Sequence, residues 1–190
     1  MVRRYFQTAV SMLALLLFAG AAVAADDVDP ELRVLLKIVA AETDSFPDRF
    51  EAEVWLTDMS QRLQKRIPDQ NFRVELLKMV HYEAARAGLS PQVVLSVIDV
   101  ESNFNPYAIS SAGAQGLMQV MPFWLNEIGR TGDNLFRVQT NLRFGCTILK
   151  FYLKKERNNL FAALKRYNGT REKKYSLKVD SVLKTRWYTQ

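Results

Sequence analysis

Apolar residues along this chain recur three and four apart in segment after segment, the period of helices that bury one face. From Pro30 to Glu42 the repeat falls on Leu32, Leu35, Leu36 and Val39, and Ser45-Phe46-Pro47 interrupts it. A second run, Asp48 to Arg66, predicts one broad face made of Phe50, Val54, Leu56 or Trp55, Met59 and Leu63, ended by Pro68. A third, about Asn71 to Ala87, carries Phe72, Leu76, Met79, Val80 and Ala84 inward. Asn71 can cap its start, and Gly88 can stop it in the left-handed conformation.

Ser90-Pro91 then opens a shorter helix, with serine as N-cap and proline at the first helical position. Val94, Val97 and Ile98 stand seven, four and three residues before Glu101 and so share its face. Asn105 precedes a proline and is pushed out of helical geometry, which closes the element. After the loop SSAGAQG, GLMQVM starts a short helix and Pro122 forces a restart through FWLNEIGR. A loop around Gly129 to Asn134 leads into a long helix, about Val138 to Arg157, striped by Leu142, Cys146, Leu149 and Leu153. Asn159 to Tyr167 gives the last core helix, broken at Asn168-Gly169. No strand alternation, repeat or low-complexity segment interrupts this pattern after residue 25, so the expected fold class is all-α.

The first residues do not fit the pattern. Arg3 and Arg4 precede an apolar run, Ala9 to Phe18, and then the small residues AGAAVAADD. That is the layout of a secretory signal, with cleavage expected after Ala24 or Ala25. The rival is an uncleaved anchor, since no charge appears between Tyr5 and Ala25. Export would put the protein in the cell envelope or periplasm. The remaining chain suffices for one domain with a real core.

Charge and cysteine usage narrow the chemistry. The formal charge is +6 and stays positive once Arg3 and Arg4 are removed, a balance suited to anionic polymers or lipid head groups. It does not demand nucleic acid, which an exported protein would rarely meet. Cys146 is the single cysteine, so no intramolecular disulfide can form, and its apolar helical neighbours fit a small buried thiol. His81 is the one histidine and lies beside an apolar stripe, a structural or solvent-facing place with no catalytic role. No metal site is expected, and no cofactor.

Glu101 is the chemical anomaly. A charged glutamate ending an apolar face is costly unless paired, and burial would raise its pKa until it holds a proton near neutrality. That is the state a general acid needs; the plainer alternative is a glutamate that reaches solvent at the helix end. Asp99, two residues away, should point to nearly the opposite side of the helix, while Glu127 and Asp133 lie further along the chain.

Four motifs accompany it in order: Glu101-Ser102, the run Gly113 to Gln119 (GAQGLMQ), Asn141 within a helix, and Tyr167-Asn168-Gly169. Together, over about residues 71–170, they resemble family 23 lytic transglycosylases, the soluble-lytic-transglycosylase (SLT) domain. Arg166 departs from the pattern, where the family usually has alanine. The resemblance implies a lysozyme-like helical domain; outside it, the helical runs over residues 26–70 read as an N-terminal helical extension and residues 171–190 as a basic tail. It implies cleavage of the β-1,4 bond between N-acetylmuramic acid and N-acetylglucosamine in peptidoglycan, with Glu101 as sole acid/base and a 1,6-anhydro product. It further implies glycan contacts from Ser110, Met118, Gln119, Asn141, Tyr167 and Asn168, with the Tyr167 hydroxyl resting on Glu101.

Several of these residues have a plainer reading. Ser110 would serve as a turn serine, Gly113 and Gly116 as ordinary turn glycines, Met118 as core, Tyr167 as an interior aromatic and Asn168 as a helix cap. Two rival functions also stand: a hydrolytic muramidase of the goose-lysozyme kind, and a non-catalytic peptidoglycan-binding or assembly module. Enzymes of this type can open the wall for secretion machines, pili or flagella, and nothing in the residues separates such envelope machinery from general wall turnover. The basic tail is a candidate docking element or simply a solvated terminus.

Overall fold

The computed structural model describes residues 45–188, together with Val34. The expected signal segment, and the expected helix from Pro30 to Glu42 apart from Val34, lie outside the described residues. The helices are α1 (Arg49–Leu63), α2 (Gln70–Ala87), α3 (Pro91–Ser102), α4 (Trp124–Ile128), α5 (Val138–Lys155), α6 (Leu160–Asn168) and α7 (Lys174–Val182), which runs into a π-helical turn, Leu183–Trp187. Among the described residues there is no strand, only isolated bridges pairing Ile109 with Gln115 and Gln115 with Val120. The all-α expectation holds.

The long pair α2 and α5 packs together, α5 carries α6, and α6 carries α7. The short apolar α3 is enclosed by α2, α7 and the π-turn, and α1 covers the outer side of α2. One core runs through all of them, from Ala52 in α1 to Trp187 in the π-turn. Leu142, Cys146 and Leu149 form the expected inner stripe of α5, and burial pushes the Cys146 thiol pKa up, leaving it inert.

Local chemistry sets the helix limits. Asp48 accepts from Glu51 N at 2.9 Å to start α1, and Asp69, rather than the expected Asn71, accepts from Phe72 N at 2.8 Å to start α2. Gly88 ends α2 at φ 61°, as its sequence position predicts. Pro91 opens α3, but the Ser90 hydroxyl binds Gln92 Oε1 at 2.7 Å instead of capping the helix. Arg73, buried, donates to Ser60 Oγ at 2.9 Å and to the Ile67 carbonyl at 2.6 Å, which ties the end of α1 to α2.

Two further expectations are corrected. In α1 the buried stripe is Ala52, Leu56, Met59 and Leu63, whereas Phe50 and Val54 are 76% and 54% exposed. Val54 and Met59 are five residues apart, about 140° around the helix, so they cannot share one face. Of the two places expected for His81 the structural one holds: its ring stacks on Phe46 at 3.4 Å between centroids, its Nδ1 lies 2.9 Å from Ser45 Oγ, and burial lowers its pKa to about 4.

The second correction concerns the C-terminus. The stretch expected as a basic tail is folded into α7 and the π-turn. Its apolar residues Tyr175, Val179 and Val182 recur at helical spacing beneath the lysines, with Val179 and Val182 buried. Trp187 is fully buried, meets Phe104 edge-on at 5.6 Å, and donates from Nε1 to Asp99 at 3.1 Å. Arg186 closes the same cluster through Nη1, 2.9 and 3.1 Å from the two Asp99 oxygens. Replacing Trp187 by alanine should therefore cost about 3–5 kcal/mol, read from the urea midpoint. An unchanged midpoint would mean that residues 174–187 are dispensable to the fold.

Candidate active site

Glu101 sits in the last turn of α3, half-buried, on the face formed by the fully buried Val94, Val97 and Ile98. The helix stops immediately beyond it because Asn103 and Phe104 both adopt left-handed backbone, at φ 48° and 66°. Such a pair of non-glycine residues is strained. It is held by the Phe104 ring against Trp187 and by Arg66 Nε donating to Asn103 Oδ1 at 3.2 Å.

The Tyr175 hydroxyl, from α7, donates to Glu101 Oε1 at 2.6 Å. Burial raises the Glu101 pKa from its ordinary 4.5 to about 7; the Tyr175 hydrogen bond and the charge of Lys178 pull the other way without cancelling it. Beside the carboxyl lies a groove of about 460 Å³ bordered by Ser102, Asn103, Ala108, Lys178 and Arg186. Asp99 borders it too, rather than facing away, but its oxygens are held by Arg186 and Trp187, with Arg66 at 3.8 Å. Asp133 is bound to Arg143 at 2.5 Å and to the Arg130 amide at 2.8 Å, and Glu127 is exposed on α4.

The loop that follows α3 is built around Asn141. This residue, 1% exposed, accepts from Met118 N at 2.8 Å and donates to the carbonyls of Gln115 and Leu135, each at 2.8 Å. Both amide hydrogens are committed to backbone, so Asn141 holds the loop. Gly116, at φ 74°, is required by the same arrangement, since a Cβ there would lie 2.3 Å from Asn141 Nδ2.

The other expected glycan contacts divide in the same way. Met118 is fully buried and packs on Gly145, where a Cβ would come within 2.3 Å of its sulfur, so it is core, as periodicity alone suggests. Gln119 donates from Nε2 to the carbonyls of Gly116 and Ala108, at 2.8 and 3.1 Å, bracing the loop. Tyr167 donates to the Met118 carbonyl at 2.7 Å instead of to Glu101, while lying near enough that the Glu101 charge helps burial push its pKa up. Ser110 Oγ accepts from Ala114 N at 3.0 Å, its turn role, and keeps a hydrogen to donate. Asn168 is exposed at the end of α6, whose cap is Gly169. The residue that sequence reasoning missed is Tyr175; its signal was the Tyr175-Val179-Val182 stripe inside a lysine-rich stretch.

The profile of the transglycosylase SLT domain family matches residues 78–182, more than half of the chain. The chain belongs to that family. The match takes in Glu101, the Gly113 to Gln119 loop, Asn141 and Tyr167, and it extends through α7 to include Tyr175. Among relatives, membrane-bound lytic murein transglycosylase C of Actinobacillus pleuropneumoniae serotype 5b (strain L20) is 50% identical over 48 residues, 25% of this chain and 13% of that protein. The protein of the same name from Histophilus somni (strain 2336) is 48% identical over 63 residues, 33% of this chain and 16% of the relative. This chain thus spans a small part of the relatives' length. A solved structure, the 70 kDa soluble lytic transglycosylase from Escherichia coli, aligns over 76% of this chain and 27% of its own with a TM-score of 0.46 and 17% identity.

The raised pKa of Glu101 gives this SLT domain a pH signature. Between pH 4.5 and about 7 the folded state keeps the Glu101 proton that the unfolded chain has released. Its contribution to stability is fully present below pH 4.5 and is lost as pH rises through 7, by roughly 3 kcal/mol. Glu101→Gln should remove that loss, so the variant should gain stability over the native protein at pH 8 and not at pH 4. Parallel urea curves at the two pH values check this; an identical pH dependence in both proteins would contradict it.

Proposed function

We propose that this SLT domain is a peptidoglycan lytic transglycosylase with Glu101 as its single acid/base. The carboxyl protonates the glycosidic oxygen between N-acetylmuramic acid and N-acetylglucosamine, and the bond from that oxygen to the muramyl C1 breaks. Glu101, now a carboxylate, takes the proton of the muramyl C6 hydroxyl as that oxygen closes onto C1. The product is a 1,6-anhydro end; Glu101 ends protonated and no water is consumed.

The observation that carries the reading is a half-buried carboxyl that opens on a groove and accepts from Tyr175, where burial raises its pKa toward neutrality, with no free carboxylate beside it among the described residues. A two-carboxylate hydrolase needs a second acid about 5–5.5 Å away in retaining enzymes, or further off with water between in inverting ones. Asp99, the other carboxylate bordering the groove, has its oxygens on Arg186 and Trp187. Family membership and the names of the relatives support the same substrate and reaction.

In this reading Ser110 and Asn168 are the members of the expected set that touch glycan, Ser110 through its remaining hydroxyl hydrogen. Gln119, Asn141 and Tyr167 act indirectly, by fixing the loop against Glu101. The signal-like first 25 residues and the relatives' description as membrane-bound support work in the cell envelope. No helix among the described residues is long and apolar enough to cross a membrane.

Mass spectrometry of digested cell wall tests the reaction. Products lighter by one water than reducing-end muropeptides are expected, and Glu101→Gln should lower their formation by at least about a hundredfold. Reducing-end products would contradict the transglycosylase reading in favour of a hydrolase, and undiminished activity in Glu101→Gln would contradict the role of that residue.

A further inference from the structure

Lys178 stands three residues beyond Tyr175 on α7, so the two side chains share a helix face. Tyr175 reaches Glu101 at 2.6 Å, and Lys178 borders the groove that opens beside the same carboxyl. Of the two cations along that groove, Arg186 is held by Asp99. Lys178 is exposed and makes no ion pair within 4.0 Å among the described residues. Among the described residues, Lys178 is thus the cation bordering the groove that is not held in an ion pair.

We propose that Lys178 is a substrate-positioning residue that binds a carboxylate on the muramyl C3 substituent, so that the groove takes an acidic sugar in preference to a neutral one. This rests on the glycan-cleaving reading of Glu101. An acid that protonates the glycosidic oxygen at the muramyl C1 must lie against that ring. The C3 substituent leaves the ring two atoms further on, within reach of a groove that begins at Glu101. That substituent ends in a lactyl carboxylate when bare and in the carboxylates of a peptide when amidated, and in both forms an anion is brought beside the Lys178 ammonium. A flexible lysine suits an acceptor whose position varies, since it acts as a point charge without the fixed fork of arginine. A glycan of N-acetylglucosamine alone has no such group.

Binding to the Glu101→Gln protein, which leaves every ligand intact, measures this directly. The ligands are a neutral N-acetylglucosamine tetrasaccharide, a tetrasaccharide of the same length with free lactyl carboxylates, and its peptide-bearing counterpart. Lys178→Gln in that background should weaken the acidic ligands by roughly three- to tenfold and leave the neutral one unchanged. Lys178→Arg should restore most of the loss. A loss confined to one acidic ligand supports the proposal and identifies which carboxylate is held. Equal weakening of neutral and acidic ligands, or no weakening of either acidic ligand, overturns it. The parent reading fails separately, if the native protein releases no anhydro ends.

Discussion

A carboxyl group that ends an apolar helix must either reach water or be given a partner and kept protonatable. This chain takes the second course. Val94, Val97 and Ile98 withhold solvent from Glu101, and among the described residues its hydrogen-bond partner is Tyr175, which lies 74 residues later in sequence. Burial and the tyrosine act in opposite senses, the first favouring the acid and the second the carboxylate, and the balance falls near neutrality. A group that must donate a proton and then recover one is served by that balance, because neither form is strongly disfavoured.

The need to bring Tyr175 back to α3 explains much of the architecture. α7 and the π-turn are anchored by Trp187 in the core and by Asp99, whose carboxylate receives both Arg186 and the indole N–H. Asp99 therefore works for the site by fixing the helix that carries Tyr175 and Lys178, which also removes it as a second acid. The loop of Gly113 to Gln119 is fixed with equal economy. Asn141 ties three of its surrounding backbone groups, Tyr167 holds the Met118 carbonyl, and Gln119 braces Gly116 and Ala108. Asn141, Gln119 and Tyr167 thus spend their polar groups on loop backbone, and none of them lines the groove beside Glu101.

That division marks what the sequence could convey. Helical period, Pro91 and Gly88 located α2 and α3 and the apolar face of Glu101, because these are local properties. The motif order pointed to the family and to Glu101. What escaped was long-range. Nothing near Asn141 says that its amide meets the Met118 and Gln115 backbone, and a polar residue in a motif reads as a ligand contact until its hydrogen bonds are counted. Tyr175 was hidden by the surrounding lysines, whose charge suggested a solvated tail although Val179 and Val182 keep helical time beneath them. Phe50 and Val54 belong to the same apolar run as Met59 and Leu63, but the 3.6-residue period divides that run between two faces of α1 and leaves the first two exposed.

The central claim is that burial makes Glu101 a neutral-range acid and that the Tyr175 hydroxyl restrains the shift. Titration of the Glu101 side-chain carboxyl by ¹³C NMR, in the native protein and in Tyr175→Phe, measures it most directly. The expected midpoint is about 7 in the native protein, moving upward when the tyrosine hydroxyl that favours the carboxylate is removed. A midpoint near the ordinary 4.5 in the native protein, or a downward movement in Tyr175→Phe, would contradict the account.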